Sequence, residues 1–193
     1  MKNGIKFLGG CKEREKGIRI TVRVAEMDGS RTEIRSCREK DLDEVCAIEK
    51  RNFPSPNTRW WFERILFQKS KALFLVAVEG EDVLGFAVAV IERDLRLREF
   101  RFDKYAHLMK VAVRENRRRE GIGTTLLQEL SKRMKDRGIN CIKLEVRSQN
   151  IGARKFYRSL GFVKEDFVEN YYPNDDDALK MRKDLTSGEN ETS

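Results

Sequence analysis

The sequence predicts an α/β protein, an α+β fold built on one mixed β-sheet with helices on its faces, and three observations carry that prediction. Apolar residues alternate with polar ones, or form short unbroken runs, over Ile18–Val24, Leu73–Val78, Val83–Ile91 and Cys141–Arg147. Elsewhere they recur at helical spacing, most clearly at Ile122, Leu126, Leu127, Leu130 and Met134, with Gly138 as the stop. The two kinds of segment interleave as β-α-α-β-β-β-α-β-α-β-β, an order that lays helices against a sheet of mixed direction.

In chain order, Ile18, Ile20, Val22 and Val24 mark a first strand, Asp28-Gly29-Ser30 a turn, and Glu33–Ser36 a second strand. Leu42, Val45, Ile48 and Glu49 set a helix over Asp41–Arg51. A loop with two prolines, Asn52–Asn57, leads to a second helix over Trp60–Lys69. Leu73–Val78 and Val83–Ile91 pair through the turn Glu79-Gly80-Glu81-Asp82. Glu92–Lys104 reads as a polar connection and His107–Val113 as the next strand. The long helix over Gly121–Arg137, a strand over Cys141–Arg147 and a short helix over Ile151–Leu160 follow, then strands near Phe162–Asn170 and Ala178–Leu185. Residues 1–31 read as an N-terminal extension with an extra strand, 32–185 as the main domain and 186–193 as a disordered tail.

Composition narrows the classes. The chain has 193 residues, 39% of them apolar, with 13 Gly and 3 Pro, which excludes collagen-like and low-complexity proteins. No apolar run approaches the roughly 20 residues of a membrane span. Leu8-Gly9-Gly10-Cys11 has the look of a lipid-attachment site, but Lys2, Asn3 and Lys6 leave no room for an apolar stretch before it. Cys11, Cys37, Cys46 and Cys141 show no C-x-x-C spacing, so neither zinc nor a disulfide framework is indicated and a reduced, cytoplasmic protein is expected. The net charge of +8 suggests acidic partners such as nucleotide phosphates, most sharply at Arg117-Arg118-Arg119. Elsewhere the basic residues are interleaved with acidic ones, as on a solvated surface, and no specific nucleic-acid partner is expected.

The segment that carries chemistry is Val111-Ala112-Val113 followed by Arg118-Arg119-Glu120-Gly121-Ile122-Gly123-Thr124, where a strand runs into a two-glycine loop that opens the best helix. The first turn of a helix has unpaired N–H groups and the positive end of the dipole, and glycine lets a ligand come close to the backbone. That is a cradle for a diphosphate. It is neither a Walker loop nor G-x-G-x-x-G.

Together with Leu144-Glu145-Val146-Arg147, Asn150-x-x-Ala153, Tyr157 and Leu160-Gly161-Phe162, this Arg-x-x-Gly-x-Gly loop resembles the GNAT superfamily of acetyl-CoA-dependent N-acetyltransferases, over about Ile34 to Leu185. The string Tyr171-Tyr172-Pro173, Asp176-Asp177-Ala178 and Met181 is similar to the branch that acetylates protein N-termini, the RimI-type and archaeal enzymes. The resemblance implies a central mixed sheet with a splayed strand pair, acetyl-CoA as cosubstrate and no metal. It implies that Val111, Ala112 and Val113 pair with the pantetheine arm, that Arg118, Arg119, Glu120, Gly121, Ile122, Gly123 and Thr124 hold the pyrophosphate by main chain, and that Asn150 touches the cofactor. Tyr157 would sit at the thioester sulfur and Glu145 would serve as base. Phe53 and Pro54, with Tyr171 and Tyr172, would grip the acceptor. Protein N-termini, ribosomal proteins among them, are the partners implied, with no membrane. Ser55 stands where some relatives have a Glu linked to substrate choice, so no first-residue preference is carried over.

The chemistry of the residues agrees. Acetylating an amine requires a base to deprotonate it, an N–H group to stabilise the oxyanion and an acid for the departing thiolate. Glu145 suits the first role, directly or through water, and Tyr157 the last. Salt bridging on a solvated surface is the competing role for Glu145, and a place in the core for Tyr157. His107, the single histidine, and Cys141 read as structural. Two other functions fit less of the sequence: a small-amine acetyltransferase of the same fold, and a basic RNA-binding module, which lacks an aromatic-interleaved basic surface.

Overall fold

A computed structural model describes residues 7–8, 12–15, 18–21, 23–27, 30–96 and 101–186. The chain divides into two compact units, Met1–Ala89 with Lys110–Leu130, and Val90–Met109 with Ser131–Ser193. Compactness therefore cuts the chain at other points than composition does.

In the first unit, β1 (Phe7–Leu8) pairs antiparallel with β4 (Arg23–Met27), which pairs with β5 (Ser30–Ser36) from Arg23↔Ile34 to Met27↔Ser30. β5 pairs in turn with β6 (Ala72–Glu79), also antiparallel. β2 (Lys12–Glu15) and β3 (Ile18–Thr21) form a separate two-stranded sheet. The single strand expected over Ile18–Val24 is thus shared between β3 and β4. Alternation marks extended chain without marking where a strand changes partner.

The expected helices appear as α1 (Leu42–Asn52) and α2 (Arg59–Phe67). α1 buries Leu42, Val45 and Ile48, the stripe its spacing demands, and also the carboxylate of Glu49. α2 is capped by Thr58, whose hydroxyl accepts from the Trp61 N–H. Its Phe62 meets Phe86 edge-on at 5.7 Å between centroids and Phe74 at 5.8 Å, an aromatic cluster of the kind whose geometry adds about 1 kcal/mol per pair beyond area. Every residue from Ala72 to Val78 is at most 6% exposed, so β6 is covered on both faces and reads as an unbroken apolar run for that reason.

β7 (Asp82–Arg96) and β8 (Arg101–Val113) each run through both units. They overturn the reading of Glu92–Lys104 as a connection, which proves to be largely strand; residues 97–100 lie outside the described ones. The polarity that suggested a loop comes from adjacent charged residues, Glu92-Arg93-Asp94 and Asp103-Lys104. Beyond them β8 alternates, Ala106 and Leu108 being buried while Tyr105 and His107 face a polar site.

In the second unit β9 (Cys141–Arg147) pairs parallel with β8 at Ala106↔Ile142 and His107↔Lys143, and this register goes no further. Leu108 and Met109 continue past Leu144 and Glu145 unpaired with them, which is the splay expected of the fold. β11 (Ala178–Asp184) pairs antiparallel along all of β9 and with β10 (Val163–Val168), the latter bulged between Lys164 and Asp166. α3 (Ile122–Asp136) spans both units and buries Ile122, Leu126, Leu127, Leu130 and Met134 as its stripe predicts; α4 (Ile151–Ser159) precedes β10. Residues 187–193 of the expected tail, and the turn at Asp28-Gly29, lie outside the described residues.

Candidate active site

The predicted site residues fall into two groups, one in each unit. In the first, β8 ends in Val111–Val113 directly against β7. A Cβ on Gly85 would stand 2.8 Å from the Ala112 carbonyl oxygen and 3.3 Å from the Val113 Cα, so only glycine lets the two backbones come this close. The Arg114 N–H donates to the Leu84 carbonyl at 2.8 Å. Gly85 was not singled out from sequence, where one glycine inside a strand-like run carries little signal.

The loop that opens α3 has two left-handed residues, Arg119 (φ 70°) and Gly121 (φ 82°). Arg118 before them is extended (φ −71°, ψ 155°), so the two positive-φ residues redirect the chain into the first turn of α3. The α3 N-terminus offers its unpaired donors there. Free donors at a helix start suit a pyrophosphate, so the segment fits the coenzyme that the sequence suggests. Its side chains are largely committed elsewhere. Ile122 is buried in the core, and Glu120 accepts from Arg117, which also donates to Glu79 at 2.7 Å. Arg118 donates to Asn52 at the end of α1. Phe53 follows, its ring 3.9 Å beneath the Lys110 ammonium. The ammonium in turn donates to the buried Glu49, whose same oxygen accepts from the Asn57 N–H. This network holds the loop carrying Phe53, Pro54 and Ser55 at both ends.

The second group is built on side chains. β9 alternates, burying Ile142, Leu144 and Val146 and presenting Lys143, Glu145 and Arg147 on the other face. Glu145 accepts from, or shares a proton with, Nε2 of His107 at 2.6 Å. Nδ1 of the same ring lies 3.0 Å from Glu92 on β7, and Glu92 accepts the Tyr105 hydroxyl at 2.6 Å. His107 is thus clamped between two carboxylates. The hydrogen bond to Glu145, first, and that to Glu92 hold its imidazole above the ordinary value, against the opposing effect of burial. Burial acts to raise the Glu92 carboxyl, but the bonds from Tyr105 and His107 outweigh it and hold the group below its ordinary value. His107, read as structural, lies at the centre of the site. The signal that could have found it is the shared side of β8 that puts Tyr105 and His107 on one face, lost once Glu92–Lys104 is taken for a loop.

Tyr171 and Tyr172 meet edge-on at 5.1 Å in the loop between β10 and β11. Burial, then the charges of Glu145 and Glu92, raise the Tyr171 phenol; burial also raises that of Tyr172, which feels Glu145 as well. The aspartates beside them anchor the loop. Arg147 stacks 4.1 Å over Tyr172, donates to Asn174 at 2.9 Å and pairs with Asp176. Asp177 accepts the Asn170 N–H. Asn170 and Asp175 take up left-handed backbone (φ 51° and 59°), as small polar residues do more readily than most.

Tyr157 packs against Phe156 and Phe162, and burial, with the charge of Tyr172 secondary, pushes its phenol upward, so that it keeps its proton near neutral pH. Asn150 is the N-cap of α4, its side-chain oxygen accepting from the Ala153 N–H at 3.0 Å. That oxygen is used in the fold, and a cofactor contact from this residue would fall to its amide nitrogen. Cys141 is buried, as expected. A polar cavity of about 280 Å³, lined by Tyr105, Lys143, Glu145, Glu165 and Lys180 among others, adjoins the Glu145 side chain.

The mixed sheet with its splayed parallel pair is the fold of an N-acetyltransferase. The chain belongs to the acetyltransferase (GNAT) family, whose model matches residues 42–162, and the protein is an acetyltransferase. It is 33% identical over 160 residues to the N-alpha-acetyltransferase of Sulfurisphaera tokodaii, covering 81% of this chain and 95% of that one. Among solved structures it is similar to the ribosomal-protein-S18-alanine N-acetyltransferase from Escherichia coli, with a TM-score of 0.68, 28% identity, and 84% and 99% of the two chains covered. The Arabidopsis thaliana NAA60 structure in complex with acetyl-CoA shares the fold, with a TM-score of 0.71, 18% identity, and 79% and 99% coverage. Among the described residues, no helix is long and apolar enough to cross a membrane.

Proposed function

We propose that this acetyltransferase uses acetyl-CoA to acetylate the α-amine of protein N-termini. The observation that carries the proposal is the His107–Glu145 pair at 2.6 Å, attended by Tyr171 and Tyr172, in a chain whose relatives act on protein N-termini. Acetyl-CoA, when bound, supplies the acetyl thioester. The main chain of Val111–Val113 would take the pantetheine arm by strand-like pairing, and the Arg118–Thr124 loop the pyrophosphate. Gly123 and Thr124 would contribute N–H groups of the first turn rather than side chains.

An α-ammonium cannot attack, so its proton must leave first. His107 engages Oε2 of Glu145, and the carboxylate accepts the ammonium proton directly or through one water. The imidazole shares that charge, which spares Glu145 from carrying it alone. Tyr157, kept protonated by its surroundings, is the donor for the departing sulfur. Tyr171 and Tyr172 contact the acceptor from the loop that Arg147 anchors, and Phe53 and Pro54 contact it from the loop after α1. Ribosomal proteins are among the acceptors this reading admits.

The test is incubation with acetyl-CoA and three kinds of peptide: free at the N-terminus, blocked there, and blocked with an internal lysine. Spermidine serves as a small-amine control. Acetylation confined to free N-termini is the expected result. Preference for spermidine or the internal lysine replaces the proposal with small-amine or side-chain acetylation.

A further inference from the structure

We infer that Glu92, held by Tyr105, is a positioning residue for proton removal: it fixes His107 so that the ring's Nε2 faces Glu145, and its charge makes the His107–Glu145 pair a stronger proton acceptor. The inference rests on the proposed role of that pair as the base and goes beyond it to a second carboxylate, on β7.

The geometry leaves Glu92 little else to do. Its two oxygens are divided, Oε2 taking the Tyr105 hydroxyl at 2.6 Å and Oε1 facing Nδ1 of His107 at 3.0 Å. An ionised carboxylate accepts only, so the proton of the Glu92–His107 bond belongs to Nδ1. With Nδ1–H settled, the proton between His107 and Glu145 is the one that can move. Tyr105 matters because it spends its hydroxyl on Glu92 and thereby sets the carboxylate's plane. Tyr105 and His107 lie two residues apart on β8, so one strand face supplies both the clamp and the clamped ring.

The charge follows. His107 is faced by Glu92 from β7, Glu145 and Lys143 from β9, and Tyr105 on its own strand. Lys143 is turned away to Glu165 at 3.4 Å and lies over the Tyr105 ring. Two carboxylates about one imidazolium sum to −1 and become neutral when the acceptor's proton arrives. Without Glu92 the pair alone is neutral while the imidazole is charged, and it draws the proton less strongly. No net proton is gained or lost by Glu92 in this scheme; the proton passes from the ammonium to the Glu145–His107 pair and on to solvent.

The test exploits the fact that His107 is the single histidine in the chain. Its ring protons can be followed by NMR in the full-length protein, beside the pH dependence of kcat/KM, in the wild type, Glu92→Gln and Tyr105→Phe. Glu92→Gln keeps an acceptor for Nδ1–H and removes the charge. The expected result is an imidazole that titrates roughly one pH unit lower, an acid limb of kcat/KM that moves down with it, and kcat reduced about tenfold with unchanged acetyl-CoA affinity. Tyr105→Phe should move all three in the same direction by less, and it answers the question should Glu92→Gln fail to fold. An imidazole that titrates as in the wild type in the folded variants overturns the inference, whatever the base proves to be. An imidazole that shifts while the acid limb stays fixed overturns the assignment of His107–Glu145 as the base, and the catalytic use of Glu92 with it.

Discussion

On the proposed function, the α3-opening loop in the first unit and the Glu92–His107–Glu145 face in the second would serve one enzyme by opposite means. The loop works through backbone: Arg119 and Gly121 at positive φ, an unpaired helix start, and side chains drawn off to Glu79, Asn52 or the core. The face works through side chains placed by strand alternation, each holding the next at 2.6 to 3.0 Å. A main-chain site tolerates changes of charge in its neighbours and fails when its dihedral angles change. A side-chain relay tolerates backbone adjustment and fails when one atom in the chain is replaced. Substitutions in the two regions should therefore fail differently, the first in binding and the second in turnover.

The largest effect is expected at Gly121. An aspartate there would have to hold a left-handed backbone and would set a carboxylate against the anion cradle. Calorimetry on the folded Gly121→Asp variant should find acetyl-CoA affinity reduced by about 1,000-fold or more. Binding within a factor of two of the wild type would remove the pyrophosphate from this loop and with it one side of the comparison.

Next comes Glu145→Gln, expected to lower kcat by about 10² to 10³ with acetyl-CoA affinity retained, as loss of a general base does. It also has a signature in stability. The folded-state pKa of His107 is raised, chiefly by Glu145, so its contribution to stability is present below the ordinary imidazole value of about 6.5 and is lost as pH rises through the raised one. The difference in Tm between wild type and Glu145→Gln should accordingly be larger at pH 6 than at pH 9. Equal differences at both pH values would mean that the bond at 2.6 Å carries no linked proton.

The two regions were also unequally legible in the sequence. The loop announces itself because a backbone site needs particular residues in a row, and Arg118-x-x-Gly121-x-Gly123 is contiguous. The relay draws on β7, β8, β9 and the loop after β10, so Glu92, His107, Glu145 and Tyr171 are far apart in the chain, and only Glu145 and the tyrosines carry a local motif. Helix stripes such as Ile122–Met134 were legible for the same reason as the loop, being local and periodic. The polar stretches of β7 and β8 were not, because Glu92-Arg93-Asp94 and Asp103-Lys104 set charged residues side by side, and a consecutive polar run carries no alternation. Misreading those stretches concealed Glu92 and Tyr105 and left His107 without a partner. Asn150 shows the remaining difficulty: a motif residue can be identified by its spacing while its helix-capping bond stays out of sight.

Tyr157 sharpens the comparison from the side of the leaving group. Tyr157→Phe keeps the ring against Phe156 and Phe162 and removes the hydroxyl alone. A fall in kcat of about 10², with acetyl-CoA affinity unchanged and the unfolding transition near that of the wild type, is the expected outcome in steady-state kinetics. A wild-type kcat would return Tyr157 to the core, since burial is the main cause of its raised phenol.

The smallest effect is expected in the loop after β10, where the structure separates anchoring from recognition. Arg147 grips Tyr172 by its ring face and the loop by Asn174 and Asp176, so the loop's shape does not depend on either tyrosine hydroxyl. The double variant Tyr171→Phe, Tyr172→Phe should therefore fold as the wild type and bind acetyl-CoA as before. If the hydroxyls meet the acceptor, the variant should show a peptide KM higher by about tenfold, the cost of one or two ordinary hydrogen bonds, and a kcat within a factor of two or three. Arg147→Ala is its counterpart, because it frees the loop while leaving both hydroxyls in place, and it should lower kcat as well as raise KM. A double-Phe variant with unchanged KM, beside an Arg147→Ala variant that is impaired, would make the tyrosines part of the loop's packing and leave acceptor recognition to other residues.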